Sequence, residues 1–137
     1  MSDSIVKILN CPNCNAKVEV QLWESINAQI SPEVRDKLLK GKIHVFDCPT
    51  CKKSFSVNKA LLYHDMKRKF LVWYFPFESI EHRSFFSQFY KDGSLKVKKC
   101  IEEDALMAYN KNLHYVFSMA ELVKYILFRE KLADSLQ

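Results

Sequence analysis

Glycine and proline are scarce in this sequence, with two and four occurrences in 137 residues. Flexible linkers and low-complexity tails are rich in these residues, in serine or in one kind of charge, and no segment here has such a composition. Hydrophobic residues make up 48% of the chain and aromatic residues 13%, which is enough to build a core. We therefore expect a single domain over residues 1–137, folded over nearly its whole length.

Long apolar runs are also missing. The longest covers the eight residues from Phe70 to Phe77, whereas a membrane-spanning helix needs roughly 18. The N-terminus has no basic segment followed by an apolar one, so no secretory signal is predicted. We expect a cytoplasmic protein without a membrane partner, and in that reducing compartment paired cysteines are more often metal ligands than disulfides.

Motifs for catalysis are lacking as well. The sequence has no phosphate-binding glycine loop, no paired-acid motif and no grouping of serine, histidine and aspartate. The four histidines, His44, His64, His82 and His114, stand singly, unlike the ligands of a catalytic zinc site. Outside the paired cysteines, Cys100 is the one nucleophile that merits a test, and nothing near it in sequence resembles an activating pair. A non-enzymatic function is therefore favoured.

Two C-P-x-C motifs are present, at residues 11–14 and 48–51. A C-x₂-C turn places two thiolates on one side of a tight turn, and two such turns supply the four sulfur ligands that suit Zn²⁺. Four thiolates leave no position for water, so the site is expected to stabilise the fold and not to catalyse a reaction. His44 is a candidate neighbour of the ligands or a replacement ligand. The predicted zinc ligands are Cys11, Cys14, Cys48 and Cys51.

A thiol-redox function is the sharpest alternative reading of these motifs. C-P-x-C also occurs in glutaredoxin-like proteins, where the first thiol is activated at the N-terminus of a helix. Here residues 15–22 alternate like a strand and residues 52–57 have no helical stripe, so neither motif is predicted to open a helix. A thiol-redox enzyme is therefore the less favoured hypothesis.

Strands are predicted on both sides of each motif, at residues 5–9 and 16–22 and again at 43–46 and 52–57. Between the motifs, Ser31-Pro32-Glu33 predicts a helix over 32–40.

The second half begins with a predicted hairpin, whose arms are 61–63 and 69–75 and whose tip is 64–68. Its longer arm is apolar on both faces, which predicts a central strand covered on both sides. A helix over 78–90, a strand over 113–117 and a helix from the capping box at 118–121 to about residue 134 follow. The type of structure between 95 and 112 stays open.

Together these elements predict an α+β fold. A zinc-ribbon-like unit with its helical insertion over residues 1–60 continues into an antiparallel sheet over 61–137, which C-terminal helices cover.

Basic residues at the predicted hairpin tip are the candidate partner-binding site: Lys67, Arg68 and Lys69, with Trp73 nearby. The formal charge of +5 falls to about +3 once four thiolates bind Zn²⁺, and the lysines are spread over three places. A nucleic-acid-binding surface is normally more concentrated. We therefore expect a zinc-stabilised binding or adaptor protein whose partner is another protein, with a nucleic-acid-binding zinc ribbon as the alternative; the oligomeric state is not predicted.

The order of the motifs resembles the bacterial CpXC family. The resemblance rests on the cysteine motifs at 11–14 and 48–51, on residues 61–65 and 69–76, and on the closing segment from Val116 to Asp134. It covers nearly the whole chain and is weakest over 78–112. This resemblance implies metal binding at the four paired cysteines and no particular reaction.

Overall fold

The computed structural model describes residues 2–93 and 113–136. The chain forms a sheet of strands together with a C-terminal helix, which confirms the α+β class. In chain order the elements are β1 (Asp3–Asn10), β2 (Lys17–Asn27), α1 (Pro32–Leu39), β3 (Val45–Asp47), β4 (Ser54–Ser56), β5 (Leu61–Asp65), β6 (Phe70–Tyr74), a 3₁₀ helix (Phe77–Glu81), α2 (Arg83–Phe86), β7 (Leu113–Val116) and α3 (Met119–Ser135).

Five strands form one sheet in the order β1-β2-β5-β6-β7, and β3 and β4 form a separate hairpin. The pairs β1–β2 and β5–β6 are antiparallel, but β2–β5 and β6–β7 are parallel. The sheet is therefore mixed, and the prediction of an antiparallel sheet over 61–137 was wrong for the pair β6–β7. Parallel neighbours need a long crossover, and α1 with the β3–β4 hairpin supplies the first of them.

Strand β2 pairs with strands from both predicted parts of the chain, the ribbon-like unit over 1–60 and the sheet over 61–137. Its first part pairs with β1 across the first cysteine turn, from Asn10 opposite Lys17 onward. Its last residues pair with β5, with Ser25 opposite Leu62. The first cysteine turn is thus joined directly to the central sheet through one continuous strand.

The core lies between the sheet and α3. Strands β5 and β6 are buried almost throughout, which confirms the prediction of a covered strand at the longer hairpin arm. On one face of β6, Phe70 and Val72 belong to the same buried cluster as Leu122 and Ile126 of α3. Full burial of each such side chain stabilises the fold by about 1.5–3 kcal/mol.

The helix predictions for 32–40 and for the C-terminal segment are confirmed. Helix α3 begins with the predicted cap, since Ser118 Oγ accepts a hydrogen bond from the Glu121 backbone N–H at 3.1 Å. None of the helices in the described part of the chain is both long enough and apolar enough to cross a bilayer.

The prediction of one continuous helix over 78–90 was wrong. The 3₁₀ helix and the single turn α2 are separated by His82, whose backbone is extended at φ −106° and ψ 121°. Phe85 and Phe89 pack on Phe75 at the end of β6, with ring centroids 5.0 and 5.9 Å from that of Phe75, while Ile80 and Phe86 are exposed. The segment 95–112 and Cys100 lie outside the described residues.

Candidate metal centre

The first cysteine turn connects β1 to β2. The Cys11 backbone N–H donates to Ala16 O, and the Asn15 N–H donates to Cys11 O, both at 2.8 Å. Asn15 has a φ of +62°, in the left-handed region that asparagine tolerates better than most residues. These bonds close the turn with both cysteines at its tip.

The second turn connects β3 to β4 and repeats the same hydrogen bonds. Cys48 N–H donates to Lys53 O at 3.0 Å, and Lys52 N–H donates to Cys48 O at 2.9 Å. Lys52 occupies the position in this turn that Asn15 occupies in the first turn, and its φ is +65°. A left-handed lysine costs about 1 kcal/mol or more, so the surrounding contacts hold this turn in shape.

The two turns bring their four sulfurs into one cluster, in which all Sγ atoms lie within 4.8 Å of one another. The Sγ atoms of Cys11 and Cys51 are 3.7 Å apart, and those of Cys14 and Cys48 are 3.6 Å apart. A disulfide requires about 2.05 Å, so these are four free thiols. The predicted ligand set is thus assembled, and the four cysteines could hold one metal ion.

The cluster is built into a small apolar core. Cys11 and Cys48 are 3% and 0% exposed and pack with Val18, Val20 and Leu22 of β2. Cys14 is exposed and Cys51 half-buried, so one side of the cluster faces solvent. A cation could enter from this side while the buried pair anchors the site to the sheet.

Hydrogen bonds from the turns favour thiolates on the second motif. Donation from the Asn13 side chain lowers the pKa of Cys51 to about 6, and the Cys51 backbone N–H lowers the pKa of Cys48. For Cys14 the N–H of Ala16 acts in the same direction, but partial desolvation within the cluster and hydrogen bonds with the neighbouring thiols raise its pKa to about 11. Four thiolates therefore need a bound cation to coexist.

His44 lies outside the sulfur cluster. Its Nε2 accepts a hydrogen bond from the Trp23 backbone N–H at 2.8 Å, and its carbonyl accepts from Val57 N–H at 2.9 Å. His44 therefore ties the β3–β4 hairpin to β2 and is not a ligand in this structure. Desolvation and the positive charge of Lys59 lower its pKa to about 4, so the ring is neutral.

A pH dependence of stability follows from His44. An unfolded histidine binds a proton near pH 6.5 and the folded one only near about 4, so its contribution is complete above 6.5 and is lost as the pH falls toward 4. We expect a loss of about 1–2 kcal/mol between about pH 7 and pH 5.

The measurement is chemical denaturation of the protein and of His44→Gln at each pH. Both proteins keep the same cysteines, so acid effects on the metal site cancel in the comparison. The advantage of the wild type over His44→Gln should shrink as the pH falls. An advantage that stays constant or grows would contradict the neutral buried ring.

The other histidines are also remote from the sulfurs. His64 is buried in β5, His82 separates the 3₁₀ helix from α2, and His114 stacks on Tyr125 at 4.3 Å between ring centroids.

The basic hairpin tip is partly occupied by internal contacts. Arg68 donates from its backbone N–H and from Nη1 to the carboxylate of Asp65, at 2.8 and 3.2 Å, and Nη2 lies 3.8 Å from Asp134. Asp65 is fully buried, so Arg68 fastens the tip to the sheet. Lys67 and Lys69 are exposed.

Trp73 does not join this tip. It lies opposite Leu62 in the β5–β6 hairpin, four residues along the strand from Lys69, a span of roughly 13 Å. Its ring is half-buried and stacks on Phe75 at 5.2 Å. The four candidate partner residues are thus divided between two places, and their role in binding stays a prediction.

An aromatic surface next to Trp73 went unnoticed in the sequence analysis. The rings of Phe75, Phe85, Phe89 and Tyr115 contact one another and help to line a cavity of about 320 Å³. The spacing of Phe85 and Phe89 was the available signal, but it was interpreted as the face of a longer helix.

The fold and the cluster define a protein in which two cysteine turns meet and bring together four sulfurs that could hold a metal ion. The chain belongs to the CpXC family, whose family model, described as CpXC protein, matches residues 9–136. The resemblance noted from the motifs is therefore confirmed. Comparison with curated proteins and with solved structures gives no significant match.

Proposed function

We propose that this chain is a non-catalytic binding or adaptor protein whose fold is stabilised by one Zn²⁺ held by the four paired cysteines. The shape of the sulfur cluster is the observation that carries the proposal. A tetrahedron with Zn–S bonds of about 2.3 Å has sulfur–sulfur edges of about 3.8 Å. Two edges of the cluster measure 3.7 and 3.6 Å.

The donor set supports zinc and a structural role. Four soft thiolates in a tetrahedron suit Zn²⁺, and a shell closed by four protein ligands leaves no position for a reacting water. Bound zinc would cross-link the β1–β2 turn to the β3–β4 hairpin, two segments that are far apart in sequence. A reducing cytoplasm would keep the thiols available for this role.

A protein partner is supported by the edge strand β1. This strand pairs with β2 on one side and with no other strand in the described part of the chain. Its outward side chains Val6 and Ile8 are 62% and 67% exposed. A long edge strand with exposed apolar residues can pair with a strand of another protein.

Nucleic-acid binding has no comparable support. Its best candidate residue, Arg68, is engaged by two carboxylates, and Trp73 lies away from the basic tip. We therefore put forward no second function.

Alkylation of Cys51 tests the metal-held state against a redox role. Cys51 is half-buried and its pKa is lowered to about 6, so as a free thiol it should react readily with iodoacetamide. In freshly purified, reduced protein we expect it to be protected together with the other three cysteines, because zinc occupies their sulfurs. Pre-incubation with a strong chelator should expose all four, as read by peptide mass spectrometry.

Rapid alkylation before chelation would overturn the proposal. So would catalysis of dithiol–disulfide exchange by the purified protein, which a closed zinc site does not allow.

A further inference from the structure

A cavity of about 560 Å³ lies between the β3–β4 hairpin and the first turns of α3. Its volume is within the range of sites for small ligands. None of the four clustered cysteines lines it, so it is distinct from the metal centre. Its apolar wall is formed mainly by Leu38, Ile43, Val57, Tyr74, Met119 and Val123.

The charged residues of this cavity are all positive. Lys40, Lys59 and Lys124 line it, and no aspartate or glutamate does. Lys59 is partly compensated, because its Nζ lies 3.6 Å from a carboxylate oxygen of Glu24. Lys40 and Lys124 form no ion pair with any residue in the described ranges 2–93 and 113–136. An anion would therefore meet two uncompensated cations.

His44 adds a neutral hydrogen-bond donor to the lining. Its Nε2 accepts from Trp23 N–H, so the proton of the neutral ring is carried by Nδ1. The residue is only 5% exposed, and it lines the cavity. An acceptor that enters the cavity would take a hydrogen bond from this donor.

The start of α3 contributes free amides on the same side. Met119 and Ala120 line the cavity and are the first two residues of this 17-residue helix. The Ser118 side chain accepts from Glu121 N–H, which leaves the first two amides without an acceptor in the described structure. Such amides at the positive end of a helix favour an anion.

The end of α1, which also lines the cavity, does not oppose an anion strongly. Helix C-termini normally present free carbonyls, but here Leu38 O accepts from Gly41 N–H at 3.0 Å. The carbonyls of Asp36 and Lys37 accept from Lys40 and Lys42 N–H in the same way. Three of the carbonyls at this end are therefore already hydrogen-bonded.

We infer that this cavity binds a small amphiphilic carboxylate, with its headgroup among Lys40, Lys124 and His44 and its tail on the apolar wall. A monoanion suits the site because a mostly apolar cavity makes the desolvation of a second charge costly. The inference deepens the proposed binding function and rests on it, since the hairpin that zinc would hold forms one wall.

The test is a titration of the zinc-loaded protein with decanoate, followed by amide NMR shifts. Decanol and decyltrimethylammonium serve as neutral and cationic probes with the same tail. We expect decanoate to shift resonances at residues 38–44, 56–59 and 119–124 and to bind more tightly than either control. Lys124→Gln should weaken binding about two- to fivefold, and Lys40→Gln with Lys124→Gln about tenfold.

Lys131→Gln is the matched control, because Lys131 is exposed on the same helix and does not line the cavity. It should bind decanoate like the wild type. Absence of binding, equal binding of the cationic probe, shifts centred elsewhere or indifference to the two cavity lysines would each overturn the inference. Zinc content is measured beforehand, so a chain without zinc refutes the proposed function, whereas a zinc-loaded chain that ignores decanoate refutes only the cavity ligand.

Discussion

Replacing Cys48 with serine is expected to cost the protein its metal and more than about 3 kcal/mol of its free energy of unfolding. Cys48 is fully buried, so the variant loses a ligand and places a hydroxyl in an apolar core. Structural zinc sites contribute on the order of 10 kcal/mol to folding, and one missing ligand removes a large share of that.

The loss should extend beyond the cysteine turns. The cluster packs on Val18, Val20 and Leu22, and β2 continues from these residues into the central sheet. Thermal denaturation followed by circular dichroism should show a much lower midpoint, and amide exchange should rise in β5 as well as in the β3–β4 hairpin. Chelation of the wild type should have the same effect.

Thr50→Ser provides the matched control, since Thr50 is exposed in the same turn and is not a ligand. It should stay within about 0.5 kcal/mol of the wild type. A Cys48→Ser protein that melts like Thr50→Ser would show that the site does not stabilise the fold.

Asp65→Ala is the second substitution with a large expected effect, and it should lower the free energy of unfolding by about 3–5 kcal/mol. The Asp65 carboxylate is fully buried and accepts from the Gln29 side chain at 3.0 Å and from Arg68. Its removal leaves a guanidinium that is 19% exposed without its closest partner. The measurement is chemical denaturation at neutral pH.

A surface ion pair supplies the comparison. Asp36 pairs with Arg35 at 2.9 Å, but its side chain is 58% exposed. Asp36→Ala should therefore cost no more than about 1 kcal/mol. Equal costs for Asp65→Ala and Asp36→Ala would contradict the structural role given to the buried pair.

The buried Asp65–Arg68 pair affects which residues of the basic tip should be replaced in a test of partner binding. Replacing Arg68 would disturb the fold, and a loss of binding could not then be assigned to the surface. Lys67 and Lys69 are exposed and make the informative double substitution.

The features that sequence predicted correctly are those with a local chemical signal. The cysteine spacing predicted the cluster, proline and its flanking residues predicted α1, and Ser118 with Glu121 predicted the start of α3. Each of these signals is a short motif of a few residues, although the two cysteine motifs lie far apart in the sequence.

The features that sequence missed depend on contacts between distant segments. Strands β2 and β5 pair in parallel, and the intervening helix and hairpin provide the crossover that this pairing needs. The alternation pattern within either strand does not reveal the direction of pairing. Phe85 and Phe89 pack on Phe75. Their spacing alone predicted a longer helix, because it does not reveal this tertiary contact. The cavity beside His44 likewise needs three separate elements to exist.

Native mass spectrometry of the purified, reduced protein tests the central claim most directly. We predict one species that carries a single zinc ion per chain, and the same measurement on Cys48→Ser should show mainly metal-free chain. A wild-type protein that carries no metal, or whose mass corresponds to two disulfides among the four cysteines, would contradict the account.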